Sequence, residues 1–340
     1  MSTLILAIES SCDETAVALV DETRAVRSSL VATQIDVHRQ FGGVVPEIAA
    51  RAHLTCIIPL VAQAMEEAGV TRDDVAAIAV TNRPGLIGAL LIGVTAAKAL
   101  AYAWDKPLIG VNHVEGHIAA AKFAHPEMAY PYVALIVSGG HTNIFYIPEE
   151  GVYQPVGGTL DDAAGEAFDK AAKILGLGYP GGPAIDKAAQ NGDPLAFPWG
   201  DACLPRKNPY DFSFSGIKTS VLYAARGQAQ GYKGALLLDE KGVADAAASF
   251  QHAVVRALVK RTVKVAKEKR VKWVTLGGGV AANSALRAAL TAAAAKIHCQ
   301  AAIPPMKLCT DNALMIAARA HELYAKGDFA DLTLDALARA

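Results

Sequence analysis

The sequence contains one strand–turn–strand pattern twice. In the first copy, residues 4–20, an apolar run leads into a polar turn and a second apolar-rich run follows. In the second copy, residues 132–147, the two apolar runs flank the turn Ser-Gly-Gly-His-Thr. Short apolar runs on either side of such a turn are typical of β-hairpins. Two hairpins of one design predict a duplicated fold.

Helical patterns alternate with these strands and predict an α/β fold. The helical stretches are residues 47–69, 87–104, 112–123, 164–175, 243–269, 282–296 and 311–326. Another strand, residues 274–276, leads into three consecutive glycines, whose backbone a ligand can approach closely. Residues 179–218 are rich in Pro, Gly, Asn and Asp and are the longest weakly periodic stretch. We interpret them as an insertion over the functional site.

The length of 340 residues predicts two domains. A new strand and a histidine motif begin near residues 106–111, so we place the boundary there. We expect one domain in residues 1–110, completed by the C-terminal tail. A second domain, residues 111–325, is expected to hold the candidate site described below.

The composition describes a globular chain without a general attraction for nucleic acid. Hydrophobic residues make up 52% and charged residues 19%, which excludes a disordered chain. The formal net charge is -1, so any nucleic-acid binding has to be local or shared with partners. The five cysteines are widely spaced and form no C-x-x-C pair, which favours reduced thiols over a zinc ribbon.

The apolar stretches do not favour export or a membrane span. The first residues lack the basic start of a secretory signal and soon reach Glu9. Residues 86–104 carry Lys98 and several Gly and Thr residues, which favours a buried helix over a membrane span. We expect a soluble cytoplasmic protein with no membrane partner.

His113-Val-Glu-Gly-His117 is the pattern that most favours a metal site. It follows an apolar strand, and Asn112 is expected to cap the helix on which it lies. Two histidines four residues apart lie about 40° apart around a helix, so both imidazoles can reach one ion. The positive end of the helix dipole should also disfavour their protonation. The other interpretation is an incidental pair on a surface helix.

Two features bear on what such a site could do. A metalloprotease needs H-E-x-x-H, but Glu115 follows His113 by two residues and points about 200° away around the helix. The protease interpretation therefore lacks its base. Asp311, at the start of a predicted helix, is the best candidate for a third ligand, although an acid in a first helical turn is also favoured by the dipole.

Ten segments occur in order along nearly the whole chain. They are ESSCDET (9–15), GGVVPE (42–47), RPGL (83–86), NHVEGH (112–117), VSGGHT (137–142), DDAAGEAFD (161–169), YPGGP (179–183), FSFSGIKT (212–219), GGGVAAN (277–283) and CTDN (309–312). Each is weak alone, but together they closely resemble the tRNA threonylcarbamoyl-adenosine transferase family, which comprises the bacterial TsaD proteins and their archaeal and eukaryotic relatives.

The resemblance implies a fold shared with actin, sugar kinases and heat-shock chaperones. In that fold, two related actin-like (ribonuclease H-like) α/β domains surround a nucleotide cleft. The resemblance also implies one divalent metal ion, iron or zinc, on His113, His117 and Asp311. By similarity, the adenylate substrate is held by Ile136, Val137, Ser138, Gly139, Gly140, Asp169, Gly182, Asp186 and Asn283.

The residue types agree with these implied roles. Backbone amides around Gly139 and Gly140 can hold a phosphate, and the carboxylates of Asp169 and Asp186 can accept ribose hydroxyls. A tight hairpin turn and acids on helix surfaces are the other interpretations.

The implied reaction transfers the threonylcarbamoyl group from threonylcarbamoyl-adenylate to the exocyclic amine of the adenosine next to the anticodon, with release of AMP. Its tRNAs read codons that begin with A. Asp13 and Glu14, on the first hairpin turn, are our candidates for proton handling or ligand positioning. The resemblance further implies an inactive TsaB-like paralogue and a small TsaE-like ATPase as partners.

Two questions stay open at the level of sequence. Arg256, Lys260, Lys264 and Lys267 share one helical face, which is either solvated or binds phosphates. A sugar kinase or chaperone-like ATPase of the same superfamily would explain the hairpins and glycines, but it would leave the histidine pair without a role.

Overall fold

A computed structural model describes residues 3–200, 208–229 and 231–339. The chain forms two compact units. The first consists of Met1–Pro126 together with Thr310–Ala340, and the second of Glu127–Cys309. Each unit is an α/β structure with its own five-stranded sheet.

The sheet of the first unit has the strand order β3-β2-β1-β4-β5. Its strands are β1 (Leu4–Glu9), β2 (Glu14–Val20), β3 (Val26–Thr33), β4 (Val75–Arg83) and β5 (Leu108–Asn112). The helices of this unit are α1 (Ile35–Arg39), α2 (Pro46–Ala68), α3 (Ile87–Trp104), α4 (His113–Ala124) and α10 (Ala313–Ala325). β2 is antiparallel to both β1 and β3, whereas β4 is parallel to both β1 and β5.

Alternation along β1 separates a core face from the face that carries the site. Leu4, Leu6 and Ile8 pack in an apolar cluster with residues of α2 and α3. Glu9 has the opposite parity and contacts His113 on α4. α10 packs on β1, β2 and α4, so both faces of the sheet are covered.

α2 and α3 are the two most apolar long helices of the described chain. By length and composition alone each could cross a membrane, since the mean hydropathy of their most apolar 18 residues is 1.4 for α2 and 1.5 for α3. Here they pack against each other and on the sheet. Only 33% of the apolar window in α3 is buried, so this helix is less buried than the sequence predicts for residues 86–104. A Cβ at Gly88 of α3 would lie 3.3 Å from the Cβ of Ala50, which shows how closely the two helices approach.

The second unit repeats the sheet of the first. Its strand order is β10-β9-β6-β7-β8. Read from the other end, β8-β7-β6-β9-β10 corresponds strand by strand to β3-β2-β1-β4-β5 of the first sheet. The strands are β6 (Tyr132–Val137), β7 (Thr142–Ile147), β8 (Gln154–Gly158), β9 (Trp273–Gly277) and β10 (Gln300–Ala302). The helices are α5 (Ala164–Leu175), α6 (Gly181–Ala189), α7 (Ser215–Arg226), α8 (Glu240–Glu268) and α9 (Ser284–Ala295). The prediction of a duplicated α/β fold is confirmed.

A glycine packs against the hairpin turn of each unit at corresponding places. Gly85 follows β4, and a Cβ there would lie 2.6 Å from the carbonyl oxygen of Ser11. Gly278 follows β9, and a Cβ there would lie 2.4 Å from the carbonyl oxygen of Val137. Gly278 also has a φ of 86°, which disfavours a larger residue. Glycine is required at both positions because the backbones touch.

Two sequence-based boundaries differ from the structure. The first unit extends to Pro126, rather than ending near residue 110, because α4 packs against α10 of the same unit. His113, His117 and Asp311 therefore lie in the first unit, and their expected place in the second domain is wrong. The stretch 179–218, expected to be an irregular insertion, contains α6 and the start of α7. Its residues 201–207 lie outside the described part of the chain.

Candidate metal centre and nucleotide-binding residues

His113 and His117 lie in the first two turns of α4, where the helix begins directly after β5. The Asn112 side chain caps the helix, as predicted, by accepting hydrogen bonds from the amides of Val114 and Glu115. Both histidines are buried, with 5% and 1% of their surface exposed. Their ring centroids lie 4.7 Å apart, so the two imidazoles share one small space.

Asp311 completes this pair from a distant part of the chain. Its Oδ1 lies 3.5 Å from Nε2 of His113 and 3.1 Å from Nε2 of His117. One ligand atom from each residue falls within 4.8 Å of the others, a grouping that could hold a metal ion. Asp311 lies just before α10, whose N-cap is Asn312, and the packing of α10 on α4 brings it to the histidines.

Glu9 is a residue of the candidate site that the sequence analysis did not single out. It is fully buried, and its Oε2 lies 3.2 Å from Nδ1 of His113 and accepts a 2.5 Å hydrogen bond from the Thr81 hydroxyl. Its Oε1 accepts a hydrogen bond from the amide of Ser11, whose hydroxyl also contacts His113 Nδ1. These contacts turn Nε2 of His113 towards Asp311. The available signal was a carboxylate that ends an otherwise apolar strand.

The two histidines have opposite protonation tendencies. Burial acts to lower the pKa of His113, but the negative charges of Asp311 and Glu9 outweigh it and raise that pKa to about 9. Burial lowers the pKa of His117 below its ordinary value, despite the contact with Asp311. The prediction that both imidazoles resist protonation therefore agrees with His117 and is wrong for His113, because two carboxylates outweigh one helix end.

The donor set fits a transition metal. Nδ1 of His117 is buried without a hydrogen-bond partner, and Nε2 faces the Asp311 carboxylate at 3.1 Å. Nε2 of His113 faces the same carboxylate oxygen at 3.5 Å. Two imidazoles with one carboxylate suit a transition metal and leave further coordination positions open.

Asp13 lies in the turn between β1 and β2, as predicted, whereas Glu14 is the first residue of β2 and pairs with Thr33 of β3. Burial raises the pKa of Asp13 and raises that of Glu14 to about 7. Oε1 of Glu14 accepts a hydrogen bond from the Thr33 hydroxyl, whereas Oε2 is buried without a partner. Glu14 can therefore exchange a proton near neutral pH.

The Glu115 carboxylate is engaged elsewhere. Its Oε2 accepts a 2.8 Å hydrogen bond from Nε of Arg319 on α10. This ion pair agrees with the expectation that Glu115 points away from the histidine face.

The predicted adenylate-binding residues lie in the second unit, around the end of β6. Ile136 and Val137 are fully buried strand residues. Both pair with β7, and Ile136 also pairs with β9, so their backbones are part of the sheet. Ser138 closes the turn, since its amide donates to the carbonyl of His141 and its hydroxyl accepts from the His141 amide. Gly139 and Gly140 form the exposed tip of that turn.

The glycines around this turn fall into two classes. A Cβ at Gly165 would lie 2.5 Å from the Ser138 carbonyl oxygen, and one at Gly181 would lie 2.5 Å from Cα of Asp169. Gly165 lets α5 pack closely on the turn at Ser138, and Gly181 lets α6 pack closely on α5. A Cβ at Gly139, Gly140 or Gly182 would meet nothing within 4 Å, so the backbone there borders open space.

The polar side chains at this site are partly used within the protein. Oδ1 of Asp169 accepts a hydrogen bond from the amide of Gly181. Asp186 accepts hydrogen bonds from the amide and hydroxyl of Ser284. Asn283 is the N-cap of α9, and its amide group also donates to Gln251 at 2.7 Å. Asn283 therefore has a structural role, and its contact with the adenylate stays a prediction.

The sequence matches a known family over most of its length. Residues 25–318 match the family model described as TsaD: tRNA N6-adenosine threonylcarbamoyltransferase. A protein of that name from Symbiobacterium thermophilum is 52% identical over 337 residues, which cover 98% of this chain and 95% of the relative. A second, from Moorella thermoacetica, is 51% identical over 338 residues and covers 98% and 96% of the two chains.

Solved structures of other proteins share the fold. HypF of T. kodakarensis is 15% identical with a TM-score of 0.65, and the alignment covers 96% of this chain and 48% of HypF. Component A of the (R)-2-hydroxyglutaryl-CoA dehydratase of Acidaminococcus fermentans is 15% identical with a TM-score of 0.52. That alignment covers 96% of this chain and 99% of the other. At these identities the likeness concerns the fold alone.

Proposed function

The chain belongs to the TsaD family of tRNA N6-adenosine threonylcarbamoyltransferases, and we propose that it carries out the full transfer from threonylcarbamoyl-adenylate to tRNA. The exocyclic amine of the adenosine next to the anticodon attacks the carbamoyl carbon. A C–N bond forms, the bond from that carbon to the phosphate oxygen breaks, and the amine loses a proton as AMP leaves. The tRNAs are those that read codons beginning with A. The observation that carries the proposal is the buried group of His113, His117 and Asp311.

One divalent ion, iron or zinc, held by these three residues would supply Lewis-acid polarisation and a fixed template for the substrate. Glu9 keeps His113 oriented through Nδ1, and Ser11 adds a second contact to the same nitrogen. Because these partners are buried, the imidazole is held in one orientation.

The adenylate end of the substrate is assigned to the second unit. The open backbone at Gly139 and Gly140 suits a phosphate, which needs amide donors rather than added charge. Asp169 has oxygens for ribose hydroxyls, as does Asp186 beyond its contacts with Ser284. Gly182 leaves room beside them.

The proton released by the amine is assigned to Glu14. Its pKa of about 7, raised by burial, suits a base that must be ionised in part of the population at neutral pH. Asp13 is the neighbouring carboxylate. Its backbone carbonyl accepts a hydrogen bond from the backbone amide of Gln34, which fixes the turn.

The partners are a TsaB-like paralogue, a TsaE-like ATPase and tRNA, in the cytoplasm. A paralogue needs an apolar surface for a stable contact. Leu54 and Ile58 on α2 are 65% and 53% exposed, and Ile87 and Leu91 on α3 are exposed beside them. We assign this face, rather than a membrane, to the paralogue, since α2 and α3 already pack on the sheet.

The deciding experiment is single-turnover transfer with the full chain and its partners. Unmodified tRNA is mixed with synthetic threonylcarbamoyl-adenylate, and the nucleosides are analysed by mass spectrometry. Modified adenosine and AMP should appear in equal amounts. Absence of both products with metal-loaded protein, or ATP hydrolysis by the isolated chain without any transfer, would exclude the proposal and favour an ATPase of the same fold.

A further inference from the structure

The positive charge of this chain is concentrated in one stretch of the second unit. Between residues 246 and 310 there are eleven Lys and Arg residues and a single acid, Glu268. The basic residues are Arg256, Lys260, Arg261, Lys264, Lys267, Lys269, Arg270, Lys272, Arg287, Lys296 and Lys307. The whole chain has a net charge of -1, so this excess is local and is concealed by the total.

Part of this charge forms a line on the outside of α8, which we call the α8 basic stripe: Arg256, Lys260, Lys264 and Lys267. All four are exposed. At 100° per residue they fall within about 80° of arc, on one face of the helix. Lys264 is partly engaged, since its Nζ lies 3.9 Å from a Glu268 carboxylate oxygen and 5.2 Å from the Tyr210 ring centroid.

Arg261 shows what a structural cation on the same helix looks like. Its Nε donates to the carbonyl of Asp211 at 2.8 Å, and its guanidinium lies 5.4 Å from the Phe212 ring centroid. It lies opposite the N-terminal end of the stripe around the helix. The basic residues of α8 therefore divide into one that supports the fold and a set that faces outwards.

A groove of about 260 Å³ adjoins the first residue of the stripe. Arg256 and His252 line it from α8, and Phe197 and Trp199 line it from the segment after α6. The two aromatic rings stack, with centroids 4.9 Å apart. Aromatic faces beside cations are the combination on which unstacked RNA bases bind.

The stripe begins next to the proposed adenylate site. Gln251, the residue before His252, accepts the 2.7 Å hydrogen bond from Asn283. From Gln251 to Lys267 the helix rises about 24 Å, which is long enough for several phosphates of one strand. An RNA on this stripe would thus have one end close to Asn283.

We propose that the α8 basic stripe binds phosphates of the substrate tRNA, and that the groove at Trp199 accepts one unstacked base. This inference rests on the proposed function, because it takes tRNA as the substrate. It adds the surface that holds the RNA and the mode of binding. An RNA is favoured over an acidic protein because the cations follow a line and adjoin stacked aromatic rings.

The test compares two triple variants of the full chain, each assayed with its partners and metal. The stripe variant is Arg256→Gln, Lys260→Gln and Lys267→Gln. The control variant is Arg39→Gln, Arg72→Gln and Lys326→Gln, three exposed positions in the first unit with the same loss of charge. Binding of unmodified tRNA is measured between 50 and 200 mM salt, and single-turnover transfer is measured against tRNA concentration.

The stripe variant should bind tRNA about tenfold more weakly at the higher salt, and its log–log salt slope should be about 2 units shallower. Its transfer rate at saturating tRNA should equal that of wild type, and the control variant should match wild type in both measurements. Trp199→Ala should weaken binding without changing the salt slope, because stacking releases no counterions.

The outcomes separate this inference from the proposed function. If wild type transfers the group but the stripe variant keeps the wild-type affinity and salt slope, the surface is wrong and the function stands. The inference also fails if the stripe variant loses affinity only for the ATPase partner. If wild type itself transfers nothing while the stripe variant loses RNA affinity, the RNA surface stands and the proposed reaction fails.

Discussion

Oε2 of Glu9 lies 3.2 Å from Nδ1 of His113 in the interior of the first unit, although the two residues are 104 positions apart. Glu9 ends β1 and His113 begins α4, so the contact joins the central strand to the helix that carries the histidine pair. Burial is the largest single effect on Glu9 and acts to raise its pKa. The charge of His113 and its hydrogen bond together outweigh burial, so the pKa of Glu9 lies below its ordinary value. Glu9 is therefore held as an ionised carboxylate next to His113, one of the three candidate metal ligands.

Glu9→Gln should weaken metal binding by about 10–100-fold, because the amide keeps the shape but removes the charge that orients and polarises His113. The measurement is metal retention against a chelator series. Glu115→Gln is the matched control, since it removes a carboxylate on α4, the helix of His113, that pairs with Arg319 instead. Equal metal retention in both variants would remove Glu9 from the site.

His117→Leu should stabilise the metal-free protein by about 1–3 kcal/mol, because it removes the buried Nδ1, which has no hydrogen-bond partner. The same variant should lose the stabilisation that metal gives the wild type, which is about 2.7 kcal/mol at a hundredfold excess over Kd. Both quantities come from denaturant unfolding with and without metal.

The control for that change is His53→Leu. His53 is also fully buried, but its nitrogens contact the Thr15 hydroxyl and the Cys12 carbonyl. This substitution leaves two polar partners unsatisfied and should destabilise the protein. A His117→Leu variant that behaves like His53→Leu would contradict the proposed metal role of His117.

Gly139→Ala should lower adenylate affinity and leave the unfolding free energy nearly unchanged, because a Cβ there enters open space at the proposed ligand. Gly165→Ala should cost about 1–3 kcal/mol of stability, since its Cβ would lie 2.5 Å from the Ser138 carbonyl. Calorimetry with an adenylate analogue and thermal unfolding separate the two effects. Unchanged affinity in a stable Gly139→Ala protein would move the ligand away from this turn.

Glu14→Gln should stabilise the fold above pH 7 and have no such effect below pH 4.5. The folded-state pKa is raised to about 7 from an ordinary value of 4.5, so the unfolded chain ionises first as pH rises. Glu14 therefore lowers the wild-type free energy of unfolding as the pH rises from 4.5 to about 7, and above that range its destabilising effect stays constant. Partial solvent exposure reduces the expected gain to about 1–2 kcal/mol.

The same variant tests the proposed proton transfer. If Glu14 accepts the amine proton, the wild-type transfer rate rises with pH through about 7, and Glu14→Gln flattens that profile. A pH profile of single-turnover rates checks this. A variant with the wild-type rate and profile would leave Glu14 with only its contact to Thr33.

Local sequence predicted the helices and hairpins well wherever the repeat along the chain is strong. The periodic stretches 87–104 and 164–175 coincide with α3 and α5. α6 was missed because its sequence begins with two glycines and a proline, which do not form a helix-like pattern. The helix exists because Gly181 packs tightly on Asp169, which is a tertiary contact.

The sequence by itself determined that His113 and His117 could share an ion, because the spacing of a helix fixes the angle between residues four apart. Only the tertiary structure brought Asp311 within 3.1 Å of His117 and placed the Glu9 carboxylate on the other nitrogen of His113. Those distances depend on how α10 packs on α4 and β1, and on how α4 packs on β4 and β5. The protonation of His113 was decided in the same way, since it follows from two carboxylates that are remote in sequence and adjacent in space.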